Sequence, residues 1–429
     1  MKENEPSMVA EIPSSLQGEG LRTLGIKYLK AFSGDGARLF IQLAYFYLVA
    51  NTLTIAEFGL FATASSIGIV LSRLAGFGFL SPLYRIATVK PHLIGTYTAG
   101  YLAALAISLP LVLLIGLGIH QLFLASLMPF VVFAMIAGTE ILFWRALEAV
   151  INVNKGLEKF GIASIVIVFG FGMKALAALW FSLQPDPDLA QWAQIYLIAQ
   201  ALMAVLAIVI FYPKIRLRFR PQLYLRRIPD AFSVSGAEVL FYVQSELDKL
   251  VVLAIGGSTA AGLYAIVMRL IDLTAMPVRT FSTILTQRLM RRTELMHSTK
   301  MRVGFELGVF AVSIAAMACI AIALYIKPDL LGSNVAQAAP FMLVVLLVPA
   351  FRNLIEYQAE LLYGRGQTIQ RLINYAIIAA LKAVLLIWML NSFNAPQDWM
   401  IWINAVFAAL YAISAVLTYN ALRRPANRV

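Results

Sequence analysis

Two lysines, Lys174 and Lys382, stand near the middle of long apolar segments. A charged side chain at bilayer depth costs roughly 2.5 to 3.5 kcal/mol on insertion scales, and such residues line a cavity or find a partner. Neither lysine has an acidic residue three or four positions away, the spacing at which side chains on one helix meet. Each therefore requires an acid from another helix, water in a cavity, or an anionic ligand. Phosphate is a natural guest, because lysine meets it as a point charge on a flexible stem and arginine as a planar bidentate fork.

Other charges lie within apolar segments. Arg38 is in the first, Glu238, Glu246, Asp248 and Lys249 are in the seventh, Arg269, Asp272 and Arg279 in the eighth, and Arg352, Glu356 and Glu360 in the tenth. The candidate anion-binding cations are Lys174, Lys382, Arg38, Lys249, Arg269 and Arg352. The candidates for ion coupling or gating are Glu238, Asp248, Asp272 and Glu356. Arg269 and Asp272 are three apart and Arg352 and Glu356 four apart, which predicts ion pairs within each helix.

The two lysines belong to an internal duplication. Phe143, Glu148, Gly156, Lys174, Ala175 and Trp180 recur as Phe351, Glu356, Gly364, Lys382, Ala383 and Trp388, each 208 positions later. Ala31, Phe32, Ser33, Gly36 and Ala37 recur 200 positions later at Ala231, Phe232, Ser233, Gly236 and Ala237, and Gly59 to Ala62 recurs 203 positions later at Gly262 to Ala265. Short loop insertions account for the drift. Arg38 and Glu238 occupy equivalent positions with opposite charge, which predicts a bridge between the halves. The paired lysines predict a symmetric, water-accessible, polar cavity.

With 61% hydrophobic and 13% charged residues in 429, the chain has more apolar side chain than a soluble core can hide. It is an all-α polytopic membrane protein. Windows of about 20 residues, enough to span the hydrocarbon, fall near 33–52, 57–77, 94–117, 120–142, 160–181 and 190–212, then 231–253, 260–282, 304–326, 338–361, 370–391 and 398–419. These make about twelve helices in two parallel six-helix repeats, with the symmetry axis along the membrane normal. The expected organisation is a cytoplasmic tail with an interfacial helix (1–30), an N-terminal bundle (31–212), a basic linker (213–230), a C-terminal bundle (231–420) and a short tail (421–429).

Loop charge sets the expected orientation. One set of connections, to which both termini belong, carries most of the arginines and lysines. The alternate set holds Glu57, Asp186, Asp188, Asp329 and Asp398, with Lys327 as the basic exception. By the positive-inside rule the basic set and both termini are cytoplasmic, and Trp180, Trp192, Trp388, Trp399 and Trp402 fall at the outer boundary as an aromatic belt. The formal charge of +12 is thus strung along one membrane side, a distribution that argues for lipid-headgroup contact and against nucleic acid. Cys319 is alone and the three histidines are scattered, so no disulfide or metal site is expected. No phosphate-gripping glycine loop or other cofactor motif occurs.

Glu57-Phe58-Gly59-Leu60-Phe61 resembles the acidic-aromatic-glycine turn that opens the second span of polysaccharide flippases. Asp248, Gly262-Leu263-Tyr264 and Arg269 are similar to the corresponding second-half signature. These proteins belong to the multidrug/oligosaccharidyl-lipid/polysaccharide exporter superfamily. The resemblance implies two six-helix bundles around a central cavity, and translocation of an undecaprenyl-diphosphate-linked oligosaccharide across the bacterial inner membrane for surface polysaccharide biosynthesis. It also implies membrane lipids, and a polysaccharide polymerase or assembly enzymes, as partners. A multidrug or small-solute antiporter of the same superfamily would favour an acidic or apolar cavity over one with six candidate cations. A membrane glycosyltransferase or polymerase would need a catalytic loop larger than the short outer ones here, of which Gln184 to Gln191 is among the longest.

Overall fold

In lipid a helix satisfies every backbone amide within its own segment, and among the described residues the long apolar runs of this chain are helical, with breaks at 124–129 and 345–347. The computed structural model describes residues 38–225, 227–291, 299–393 and 395–423. The expected interfacial helix and most of both tails lie outside the described residues.

The first half comprises α1 (38–52), α2 (Ile55–Leu74), α3 (Leu80–Val89), α4 (Ile94–Phe123), α5 (Phe130–Gly138), a π-helical turn (Thr139–Trp144), α6 (Arg145–Gly156), α7 (Phe160–Ser182) and α8 (Leu189–Phe211). A linker with a one-turn helix, α9 (Pro221–Leu225), leads to α10 (Ile228–Glu246) and α11 (Asp248–Arg291). The second half continues with α12 (Thr299–Ile326), α13 (Ser333–Val344), α14 (Val348–Gly364), α15 (Thr368–Ser392) and α16 (Pro396–Arg423).

Among the described residues nine helices are long and apolar enough to cross a membrane, or ten if the pair α13 and α14, bent by 76°, is one broken span. The stretch Val234–Phe281 contains 48 residues, too many for one crossing at 1.5 Å per residue, and Gly257 breaks it with φ +81°. It therefore crosses twice. With α1, described from residue 38 onward, about twelve spans in two repeats are consistent with the helices observed. Two features depart from the expected windows. The amphipathic helix α3 intervenes between the second and third spans, and the fourth and tenth spans are both irregular at corresponding depth.

The acidic-aromatic-glycine turn has a structural account. Thr54 and Glu57 form a reciprocal capping box at the start of α2, and the second Glu57 oxygen accepts from the Leu189 amide at the start of α8 (3.2 Å). Gly59 and its repeat mate Gly262 let α2 and α11 touch backbone to backbone, so that a Cβ on Gly262 would collide with the Ile55 carbonyl oxygen. Beside this crossing, Asn51 donates to the Leu331 carbonyl (2.7 Å), and Asn334 donates to the Ala50 (2.7 Å) and Leu53 (2.6 Å) carbonyls. The two halves are thereby closed against each other at the end carrying the acidic connections.

Each half buries a tryptophan against the aromatic of its glycine-leucine-aromatic run, Phe61 on Trp192 (centroids 5.7 Å apart) and Tyr264 on Trp399 (6.5 Å). Trp180, Trp388 and Trp402 are exposed, as an interfacial belt requires, but Trp192 and Trp399 are fully buried. These two belong to the core because the repeat places them opposite a packing partner, which hydropathy alone does not show.

Candidate functional site

A cavity separates the halves and opens toward the basic connections, where Ser81, Tyr84 and Lys155 line one side of it and Thr368 and Arg371 the other. It has three adjoining parts: an inner chamber of about 410 Å³ among α1, α2, α7 and α11, a mouth of about 350 Å³ beside α3 and α6, and a chamber of about 770 Å³ walled mainly by α10, α14 and α15. Arg73 borders all three.

Arg73 lies in the last turn of α2. Its guanidinium grips Glu148 with two bonds of 2.9 Å and lies 4.3 Å from the centre of the Tyr242 ring. Glu148 also accepts from Arg145 (2.7 Å), which reaches Glu238 across the interface at 3.4 Å. The Arg73, Glu148, Arg145 and Glu238 side chains thus form one chain of charges joining α2, α6 and α10. The expected bridge between Arg38 and Glu238 is therefore replaced at Glu238 by Arg145. Arg38 faces the same mouth with its guanidinium 4.8 Å from the centre of the Phe171 ring.

The two lysines have partners, and neither is the acid nearest in the repeat pattern. Lys174 lies 3.7 Å from Glu140, an acid set on the π-helical turn, with Trp144 and Tyr196 rings at 4.3 and 5.2 Å. Glu140 also accepts from Ser65 (3.1 Å) and Tyr196 (2.5 Å). The group borders the inner chamber. Lys382 donates to Asp248 (2.5 Å) and to the Gln244 carbonyl (3.0 Å), while Tyr264 donates to the same carboxylate oxygen (2.8 Å). This second group is sealed from the cavity, with the Lys382 and Asp248 side chains 4% and 1% exposed. The expectation that both lysines face a shared aqueous cavity fails for Lys382, because Asp248 at the start of α11 and the Gln244 carbonyl of α10 take up its ammonium in the protein interior. The cavity is accordingly asymmetric.

The expected pairs within helices are exchanged for pairs between helices. Asp272 of α11 binds Arg352 of α14 (2.7 Å), and Glu356 of α14 takes two bonds of 2.8 Å from Arg279 of α11. Both pairs staple α11 to α14 and neutralise Arg352, Asp272 and Glu356. Lys249 is also engaged, by Glu246 (2.5 Å) and Ser66 (3.0 Å). Arg269 differs. Its side chain borders the inner chamber and, among the described residues, makes neither an ion pair nor a side-chain hydrogen bond, since Asp272 is committed to Arg352.

Among the described residues the inner chamber is lined by five basic side chains (Arg38, Arg73, Lys174, Lys249, Arg269) and four acidic ones (Glu140, Glu148, Glu246, Asp272). The mouth has four basic against two acidic, and the large chamber three against three. The cavity is less cationic than the six predicted cations imply, because most carry a carboxylate partner. Sequence reasoning missed Glu140, Arg73 and Arg145. Glu140 and Arg73 fall inside predicted spans, the signal that elsewhere marks an intramembrane charge. No group of three or more metal-ligating side chains occurs among the described residues.

The sequence matches no protein-family model and no curated protein significantly. Solved structures do resemble the fold. A MOP superfamily transporter from Pyrococcus furiosus, described as having reversed binding-pocket polarity, shares 12% identity over 92% of this chain and 95% of its own, with a TM-score of 0.62. The MATE multidrug transporter DinF-BH, solved as a ligand complex, shares 15% over 94% and 98%, with a TM-score of 0.61. A MATE family multidrug resistance transporter in an inward-facing conformation shares 14% over 95% and 97%, with a TM-score of 0.55. The class this defines is a fold: the chain is built as MOP superfamily transporters are.

Proposed function

We propose that the protein moves an anionic lipid-linked substrate, a polyprenyl-diphosphate-linked oligosaccharide, across a bacterial inner membrane by alternating access. The observation that carries this reading is Arg269, a guanidinium with no ion-pair or hydrogen-bond partner among the described residues, facing a chamber with surplus positive charge. A diphosphate is the complementary ligand, since an arginine fork binds phosphate oxygens bidentately. The halves 31–212 and 231–420 act as the moving bodies, with the basic connections and both termini cytoplasmic. The closed acidic end and the open basic end then describe a cytoplasm-facing state, and separation at the Gly59 and Gly262 crossing describes the other.

A second reading, export of a cationic drug, is favoured by the four carboxylates of the inner chamber and by the fold's likeness to a multidrug transporter solved with a ligand. Proteoliposomes decide between them. Protein-dependent movement of a fluorescent lipid-linked oligosaccharide, reduced at least tenfold by Arg269→Gln, is the expected result, because a charge-assisted hydrogen bond contributes about 1.5 to 3 kcal/mol and 1.4 kcal/mol is about tenfold. Movement of a cationic dye with no movement of the lipid would establish the second reading instead.

A further inference from the structure

The large chamber differs in kind from the inner one. Its walls carry Tyr84, Phe241, Tyr242, Tyr363 and Tyr375, and among the described residues its cations and carboxylates are equal in number. Arg279 is held by Glu356 through two bonds and Arg371 by Glu360 at 2.8 Å. A diphosphate placed here would have to displace a carboxylate from one of these arginines, whereas Arg269 in the inner chamber has no such partner to displace. An uncharged polyol meets no such obstacle. The remaining donors and acceptors of paired groups can bind hydroxyls without any charge to neutralise, and the aromatic rings offer apolar faces to the C–H faces of a sugar.

The two chambers adjoin at Arg73 and Tyr242, which line both, so that adjacent parts of one ligand would meet there. Resting on the lipid-linked reading above, we propose that the large chamber is the glycan subsite, accepting the uncharged sugars nearest the diphosphate while the diphosphate is held in the inner chamber. Ligand polarity in the membrane plane follows: the phosphate lies against the N-terminal half and Arg269, and the sugars lie against α10, α14 and α15.

The test uses the full chain with its single cysteine removed by Cys319→Ala and one reporter introduced, either Ser65→Cys in the inner chamber or Thr368→Cys or Tyr363→Cys in the large one. Labelling by a hydrophilic maleimide is followed with two probes, farnesyl diphosphate and the lipid-linked oligosaccharide extracted from cells that make the protein. The extract is expected to slow labelling at all three positions, by roughly tenfold when present at about ten times its dissociation constant, and farnesyl diphosphate only at Ser65→Cys. Protection of Ser65→Cys by both probes, with Thr368→Cys and Tyr363→Cys unprotected by the extract, overturns the glycan subsite and leaves the lipid-linked reading standing. Equal protection of all three by farnesyl diphosphate overturns it too. Failure of both probes at every position removes the lipid-linked reading itself.

Discussion

Lys174 and Lys382 are equivalent by sequence and different in their surroundings. In both groups a lysine meets a carboxylate that also accepts from a tyrosine, yet Lys174 uses Glu140 and Tyr196 while Lys382 uses Asp248 and Tyr264. The Lys382 pair is sealed, and removing one member of a buried pair costs about 3 to 5 kcal/mol because the other charge is left uncompensated. Lys382→Gln is therefore expected to lower thermal stability and membrane abundance, and adding Asp248→Asn is expected to recover much of both. Lys174 borders the chamber, and Glu140 retains its bonds to Ser65 and Tyr196 without it. Lys174→Gln should leave abundance near normal and reduce transport several-fold, with Lys174→Arg intermediate. A melting curve and a flipping assay at matched abundance check both. A stable but inactive Lys382→Gln protein would place that lysine in the mechanism and refute the assignment.

Among elements, the contact between α2 and α11 closes the molecule at the end carrying the acidic connections. Backbones approach at Gly59 and Gly262 because neither has a Cβ, and the asparagine clasp of Asn51 and Asn334 closes the same end. A side chain at Gly262 meets the Ile55 carbonyl, a backbone group that cannot rotate away. Gly262→Val should disfavour the closed contact and raise reactivity of a cysteine placed at Ser258 toward a membrane-impermeant reagent applied from the acidic side. The clasp variant Asn334→Ala should act in the same direction more weakly, since each lost hydrogen bond contributes about 0.5 to 1.5 kcal/mol. Unchanged labelling in both variants would show that this crossing does not hold the state. The staples Arg352 to Asp272 and Arg279 to Glu356 lie within the second half and should keep α11 and α14 moving as a unit.

At the scale of the whole molecule, orientation and cavity access are one question. The basic connections share a side with the cavity mouth, and the linker joining the halves is docked there by Tyr224, whose hydroxyl donates to the Thr96 carbonyl (2.9 Å). If that side is cytoplasmic, a cysteine at Asp186 reacts with an impermeant maleimide in intact cells, and one at Arg220 reacts only after permeabilisation. The reverse pattern would invert the proposed direction of substrate entry.

Membrane class, the number of spans and the duplication were legible in the chain because each rests on local quantities: apolar run length, loop charge and ordered recurrence at nearly constant offset. Most of the intramembrane charges were equally legible, Arg269 among them, although Glu140 and Arg73 were passed over. What the sequence could not supply was the choice of partner. Arg352 and Glu356 stand four apart on one helix, yet each binds across to α11, because α14 presents that face to α11, where Glu356 gains two bonds from Arg279 and Arg352 a 2.7 Å contact with Asp272 in place of a weak contact along a single helix. Glu140 meets Lys174 through a π-helical turn whose register no hydropathy window reports. Trp192 and Trp399 read as belt residues and pack as core. Desolvated charges are settled by which helices adjoin, and helix adjacency is a property of tertiary packing. Only the folded chain determines that most of these cations are already neutralised and that Arg269 is left facing the cavity.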